Sequence, residues 1–253
     1  MHRFYLPPEQ CQGATLLLAG REAHHALHVL RLARGELITV LDGVGNEFLC
    51  AVEKCSRAAV TLSVSLKNFT PPPPCSITLL QAIPKGKLIE SIIEKAVELG
   101  VSRIVPILAQ RVTTHLDDET GPLKVEKWRT VAVEAIKQCG SPWLPKIEAP
   151  VTIKQFLDRK EKFELPLVAS LQGDRRHPRE VFRKFHTAHG RPPVSICVWV
   201  GPEGDFSPEE INAIKAEGAR PITLGRLVLR VETASIYCLS VLNYELQAAG
   251  MES

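Results

Sequence analysis

From about residue 76 onward, short continuous apolar runs alternate with stretches whose apolar residues recur every three to four positions. Ile77 to Ile83, Val101 to Leu108, Leu165 to Leu171, Val194 to Val200 and Ile222 to Leu224 have the length and β-branched content of buried strands. Between them, Ile89, Ile92, Ile93, Ala96 and Val97 fall on one helical face that stops at Gly100. Val125, Trp128, Ala132, Ala135, Ile136 and Cys139 form a second such stripe. Shorter helices are predicted at Ile153 to Lys160, from Pro178, after Ser207 and from Glu232 to the C-terminus. Strands alternating with helices predict a parallel sheet covered on both faces.

The first 70 residues follow another rule. Val60, Leu62, Val64 and Leu66 alternate with Thr61, Ser63 and Ser65, giving one apolar face. Leu37 to Leu41 turns at Asp42-Gly43-Val44-Gly45 into Glu47 to Val52, a hairpin. One helix over Arg21 to Arg31 completes a small barrel or curled sheet. Pro71 to Pro74 cannot join a sheet interior and marks the boundary, which predicts domains at 1–70 and 75–253.

Composition narrows the class. With 253 residues and 45% hydrophobic content the chain can hold one large or two small domains with a real core. No apolar stretch approaches a membrane span, and Met1 to Pro7 lacks the core of a secretory signal, so a soluble cytoplasmic protein is expected. The seven cysteines are scattered without CxxC spacing; Cys197 and Cys238 read as buried thiols, with neither disulfides nor zinc indicated. His24 and His28 lie one helical turn apart but have no third ligand, so no metal is expected. A net charge of +3 permits a nucleic-acid partner through local patches only.

The glycine signatures of dinucleotide and triphosphate sites are absent, as is GxSxG. What remains is a set of turns at strand ends: Leu171-Gln172-Gly173, Gly201-Pro202-Glu203-Gly204, and Leu224-Gly225. Turns at the carboxyl ends of parallel strands line a crevice, so these three are expected to converge on one ligand. Ser207-Pro208-Glu209-Glu210 behind the second reads as a capped helix start. Any one of these runs is equally a plain strand-to-helix turn.

Taken jointly, Gly201 to Ser207, Leu224-Gly225 and Leu229-Arg230-Val231-Glu232-Thr233-Ala234 resemble the cofactor-binding end of the SPOUT methyltransferases, nearest to the family that methylates N3 of a uridine in bacterial 16S ribosomal RNA. The resemblance runs through nearly the whole chain. It takes in Arg3-Phe4-Tyr5, His25, Val29-Leu30-Arg31, Glu94 to Val101, Trp128, Glu134-Ala135 with Gln138, and Pro145. It implies a PUA-like RNA-binding β-barrel domain followed by an α/β domain with a deep trefoil knot. It also implies a homodimer, S-adenosyl-L-methionine as cofactor, and 16S rRNA or the 30S subunit as substrate. By position, Leu171, Gly201, Pro202, Glu203, Gly204, Leu224, Gly225, Leu229, Thr233 and Ala234 would contact cofactor. Two departures stand out: Gln138-Cys139-Gly140-Ser141-Pro142 lacks an arginine often found there, and Asp205 replaces a common glycine.

Methylation at uracil N3 needs the N-H proton removed and the ring held in line. Arg230, a planar fork of donors, is the candidate for stabilising the uracilate, and Glu232 the candidate proton acceptor. The plainer alternative is that the two pair and cap a helix. Arg3, Arg31, Arg34, Lys85, Arg175 and Arg176 are candidate RNA-phosphate contacts. Lys87, beside Lys85, faces either substrate or water. Trp143 is a candidate for base stacking, and Trp199 belongs to the core. Competing functions are a SPOUT methyltransferase acting on tRNA or 23S rRNA, and a non-catalytic ribosome-assembly factor.

Overall fold

The computed structural model describes residues 1–86, 88–111 and 120–251. The described chain forms two compact units: Met1–Pro72 with Val133–Leu144, and the remainder.

The first unit is built on a five-stranded sheet. Its strands are β1 (Arg3–Tyr5), β2 (Thr15–Ala19), β3 (Leu37–Leu41), β4 (Asn46–Cys55) and β5 (Ala59–Phe69), in the order β1-β3-β4-β5-β2. β1 pairs β3 in parallel; the other pairs are antiparallel. The alternation read from residues 60–66 reappears as alternating burial in β2, β4 and the first half of β5. The sheet is a half-barrel, with β1 and β2 as edges that do not pair with each other, the curled form of the two expected from the sequence. Leu6, Cys11, Ala23, Ala26 and Leu32 complete the core with Phe4, Leu18, Ile38, Phe48 and Leu62, so its apolar face is covered without strand closure. The helix at Arg21 to Arg31 is α1 (Gly20–His24) continuing into a π-helical turn, His25–Val29.

The second unit carries a parallel sheet flanked by helices. In chain order its elements are β6 (Ser76–Ala82), α2 (Leu88–Glu98), β7 (Arg103–Leu108), α3 (Thr120–Cys139, whose last turns belong to the first unit), β8 (Lys146–Ile147), β9 (Val151–Thr152), α4 (Ile153–Leu157), β10 (Leu165–Ala169), α5 (Pro178–His189), β11 (Ser195–Val200), α6 (Pro208–Ala216), β12 (Arg220–Ile222) and α7 (Val231–Met251). The sheet order is β12-β10-β11-β6-β7-β8, with β9 also on β7. Every residue of β6 but the first is buried, as are the last five of β11, which is why these strands read as unbroken apolar runs. One face, including Leu80, Ile107, Val168, Cys197 and Trp199, packs on α4 and α6 through Phe156, Ile211 and Ile214. The alternate residues, such as Leu79 and Val198, face the other way, the side of the apolar stripe Ile89, Ile92, Ile93, Ala96 and Val97 of α2.

Two strand ends fall short of the sequence expectation. β12 spans 220–222, not 222–224, because the Thr223 side chain closes on Gly225 and takes the chain out of the sheet. β10 ends at Ala169 because the Leu171 amide turns to the Asp205 carboxylate. All seven cysteines are free, and burial pushes the thiols of Cys197 and Cys238 up to about 12. Among the described residues, no helix is long and apolar enough to cross a membrane, and no three His, Cys, Asp or Glu side chains gather around a common point.

Candidate functional site

The register brings Ala169, Val200 and Gln81 to the same carboxyl edge of the sheet, Ala169 opposite Ile222 and Val200 opposite Gln81. There the turns after β10, β11 and β12 surround one cavity with about 570 Å³ of space open to solvent. Its first wall is Ala169, Ser170 and Leu171 with Arg175; its second is Val200 to Glu203 with Asp205. Its third runs from Thr223 through Leu229, and Val231 and Ala234 of α7 close the base. The three turns singled out in the sequence therefore do meet.

The second wall is fastened from several sides. The Arg111 guanidinium donates to the Gly204 carbonyl, and the Lys85 amide donates to Glu203 Oε1 at 3.2 Å. Phe206 is buried and edge-on to Trp199, itself edge-on to Phe156, contacts worth about 0.5–1.5 kcal/mol each beyond burial. Ser207 and Glu210 form the expected capping box, and Glu210 also accepts the Gln110 amide at 2.7 Å.

Asp205 holds the first and second walls together. Its φ is +59°, a left-handed conformation that glycine adopts freely and aspartate tolerates better than most residues. One carboxylate oxygen accepts the Phe206 amide at 2.8 Å, the other the Leu171 amide at 3.3 Å. Arg175 donates to the carbonyl of the same Leu171, so that residue is held at both ends by charged side chains. Asp174, next in the loop, pairs with Lys215 of α6, whose ammonium holds the Asp174 carboxyl below its ordinary range.

The third wall is different. Leu227 and Val228 are 78% and 73% exposed, and Gly225 takes φ +113°. Behind it, α7 is locked to the sheet by a buried polar contact: Ser235 Oγ donates to Gln81 Oε1 at 2.5 Å.

Of the expected cofactor contacts, Leu171, Gly201, Pro202, Glu203, Leu224, Gly225, Leu229 and Ala234 line the cavity; Gly204 and Thr233 do not. Arg230 is exposed and Glu232 half-buried at the N-terminus of α7, where the Arg230 carbonyl accepts the Ala234 amide at 2.8 Å. Among the described residues neither has an ion-pair partner, so the simple mutual pair is not formed. Arg175, read as an RNA contact, lines this cavity, while Arg176 is exposed beside Glu180. Arg3 donates to the Lys137 and Gln138 carbonyls at the end of α3, and Arg31 and Arg34 are exposed. Lys85 is exposed; Lys87 lies outside the described residues. Trp143 donates to the Thr70 carbonyl and meets Phe69 edge-on within the first unit, and Trp199 is core, as expected.

Sequence reasoning missed Ser170, Asp205, Leu227 and Val228 as lining residues. Leu227-Val228-Leu229 carried a signal: an apolar run too short for a strand, lying between Gly225 and the helix start.

Main-chain turns and apolar walls closing on a cleft at a sheet edge suit a flat heterocycle with polar edges rather than a phosphate. The comparisons bear on what that heterocycle belongs to. A family model for the RNA methyltransferase domain matches residues 71–243, and one for the RNA methyltransferase PUA domain matches 18–65. Ribosomal RNA small subunit methyltransferase E of Synechocystis is 31% identical, covering 98% of this chain and 78% of that protein; its Bacillus subtilis counterpart is 28% identical, covering 97% of each. A methyltransferase from Legionella pneumophila, solved with bound SAM, matches with a TM-score of 0.85 and 33% identity over 98% of this chain and 97% of that one. The small subunit methyltransferase E of Neisseria gonorrhoeae, solved with S-adenosyl methionine, gives 0.84 and 26% over 96% and 97%. The chain belongs to the RNA methyltransferase family that includes ribosomal RNA small subunit methyltransferase E.

Proposed function

We propose that this protein transfers a methyl group from S-adenosyl-L-methionine to N3 of a uridine in the 16S RNA of the small ribosomal subunit. The observation that carries the reading is the convergence of three strand-end turns on one cavity at the carboxyl edge of the parallel sheet. The alignment of nearly the whole chain with small subunit methyltransferase E relatives supports it.

The residues present fit the cofactor. Gly201 and Pro202 bring main chain to the cavity, Ser170 and Glu203 add polar side chains, and Val200, Leu224 and Leu229 supply apolar walls. When bound, the cofactor supplies an electrophilic methyl carbon. The protein's task is then to position the base and to manage one proton: as the carbon leaves sulfur and bonds N3, the N3 proton must go elsewhere. We assign Glu232 as its acceptor. Arg230, exposed between cavity-lining Leu229 and Val231, stabilises the uracilate charge or holds the adjoining phosphate.

The finer architecture belongs to the same proposal. Residues 1–70 act as the RNA-binding domain and 75–253 as the methyltransferase domain. In the latter, the chain leaving β12 threads back to give the trefoil knot; the Ser235 bond to Gln81 on β6 and the Asn243 bond to the Leu99 carbonyl support that path. Tyr237 and Tyr244, exposed two turns apart on α7, support a homodimer. Arg3, Arg31, Arg34, Lys85 and Arg176 supply phosphate contacts, and the protein works in the cytoplasm, where ribosomes are assembled.

Incubation of the pure protein with 30S subunits lacking the modification and labelled donor, followed by mass spectrometric mapping, tests the reading. One methyl-uridine labelled at N3 in 16S RNA is expected. No label, or label confined to tRNA or 23S RNA, overturns it.

A further inference from the structure

The cavity does not end the chain's chemistry on this side of the molecule. Residues 174–189 contain five Arg or Lys side chains against two acidic ones, an excess of three in a chain whose whole formal charge is +3, together with three histidines. Most of this segment is α5, whose N-terminus follows directly on the Leu171 to Arg175 loop at the cavity. Along α5 lies an open groove of about 1180 Å³ whose lining includes Arg179 and Arg183, the acidic Glu180 and Glu245, and a buried apolar floor of Phe182 and Pro193.

Arg179 and Arg183 stand four residues apart, so their side chains leave neighbouring turns of the same helix face, about 6 Å apart along its axis. The acidic Glu180 is engaged elsewhere, with Lys184 at 3.4 Å and Arg176 at 3.9 Å. Among the described residues Arg179 and Arg183 have no carboxylate partner. Two like charges one helical turn apart on an exposed helix face repel weakly, and a polyanion laid along them relieves that repulsion. The apolar floor gives ribose and base faces a surface to lie on.

We propose that the α5 groove is a second RNA-binding surface, on which Arg179 and Arg183 hold consecutive phosphates of the strand that leaves the cavity past Arg175. This rests on the reading of the protein as an RNA methyltransferase. The contacts are to phosphate, so they add affinity and direction without base choice.

The test uses the full-length protein, unmethylated 16S RNA transcript as the binding probe, and undermethylated 30S subunits as substrate. The double variant R179Q/R183Q is expected to bind transcript about tenfold more weakly. Its slope of log affinity against log salt should be shallower by about 1.4, the release expected for two phosphates on single-stranded RNA. Its KM for subunits should rise with kcat and calorimetric donor affinity unchanged, and R179K/R183K should restore most of the affinity. Unchanged affinity and salt slope overturn the proposal, as does a loss of dimer mass by light scattering that alone accounts for the change, which would assign the groove to a second copy of the chain. Wild-type protein that binds transcript with the predicted α5 dependence yet methylates nothing would overturn the function and leave the groove standing.

Discussion

Two walls of the same cavity are built by opposite means. The turn after β11 is tied by Arg111 at Gly204, by Lys85 at Glu203 and by Asp205 at Leu171, with Phe206 sunk against Trp199. The segment after β12 has two bonds between Thr223 and Gly225, then Arg226 to Arg230 before the helix, all exposed but the half-buried Leu229. A wall fastened by the protein itself is shaped before any ligand arrives. A wall with few contacts of its own opens easily and is ordered by what it covers. Burying a leucine or valine contributes about 1.5–3 kcal/mol, which the exposed Leu227 and Val228 do not draw on within this chain. Arg230, proposed to act on the uracil, stands two residues beyond Val228 on this less fastened wall.

The largest expected effect tests that role. Arg230→Ala should lower kcat about 100-fold or more, the loss typical of removing a transition-state donor. Donor affinity by calorimetry should stay within about twofold; an equal loss in both would place Arg230 in the pocket wall instead. Next come the two glycines, which should fail differently. At Gly225 a side chain meets nothing within 4 Å, but φ +113° strains any L-residue. Gly225→Val should therefore weaken donor binding about tenfold, from a backbone cost of about 1–3 kcal/mol, with little change in Tm because the loop carries little of the fold. Gly201 has ordinary φ, but a methyl group there would sit 3.1 Å from Asp205 Oδ1 and 3.2 Å from the Phe206 nitrogen. Gly201→Ala should lower Tm by about 2–4 °C, roughly 1 kcal/mol in a chain of this size. A larger Tm loss for Gly225→Val would reverse the assignment of firm and loose walls.

The same two walls show what could be read from the sequence. Parallel strands and their helices were legible because burial on both faces writes unbroken apolar runs, and α2 writes its stripe at helical spacing. The glycine turns were legible as turns because strand ends and the Ser207 cap bracket them. How they are fastened was not, since Asp205 to Leu171 spans 34 residues and Lys85 to Glu203 spans 118, and no local pattern encodes such pairs. The edge strands β1 and β2 and the short β8 and β9 went unpredicted for a related reason: with two to five residues each, they are defined by their pairing partners more than by their own composition. Arg175 shows the limit of reading charge: as one of a basic pair it signals RNA, yet its guanidinium bonds the Leu171 carbonyl in the cavity wall.

A smaller effect is expected where the firm wall is stitched to its neighbour. Asp205→Asn keeps an oxygen to accept the Leu171 amide and should leave donor affinity within about twofold. Asp205→Ala removes the acceptor that holds the Leu171 turn against the second wall; a three- to tenfold weaker donor affinity should follow, with Asn as the rescue. If Asn weakens binding as much as Ala, the carboxylate acts by its charge, and the stitch is not what shapes the wall.

The smallest effect lies at the far end of the same two strands and supplies the control. Glu164, just before β10, takes two bonds from Arg191, at 2.7 and 3.0 Å, and the Val194 amide at 2.9 Å. These hold its carboxyl at about 2, against an ordinary 4.5. A carboxyl depressed by folding stabilises the fold above its unfolded value, and that contribution drains away as pH falls from about 4.5 through 2. Wild-type urea midpoints should therefore slope downward across that window more steeply than those of Glu164→Gln. Donor affinity near neutral pH should be the same in both proteins, because these bonds tie the amino ends of β10 and β11, away from the turns that form the cavity. A change in donor affinity in Glu164→Gln would mean that the strands carry strain along their length, and that the firmness of the second wall does not come from its local ties alone.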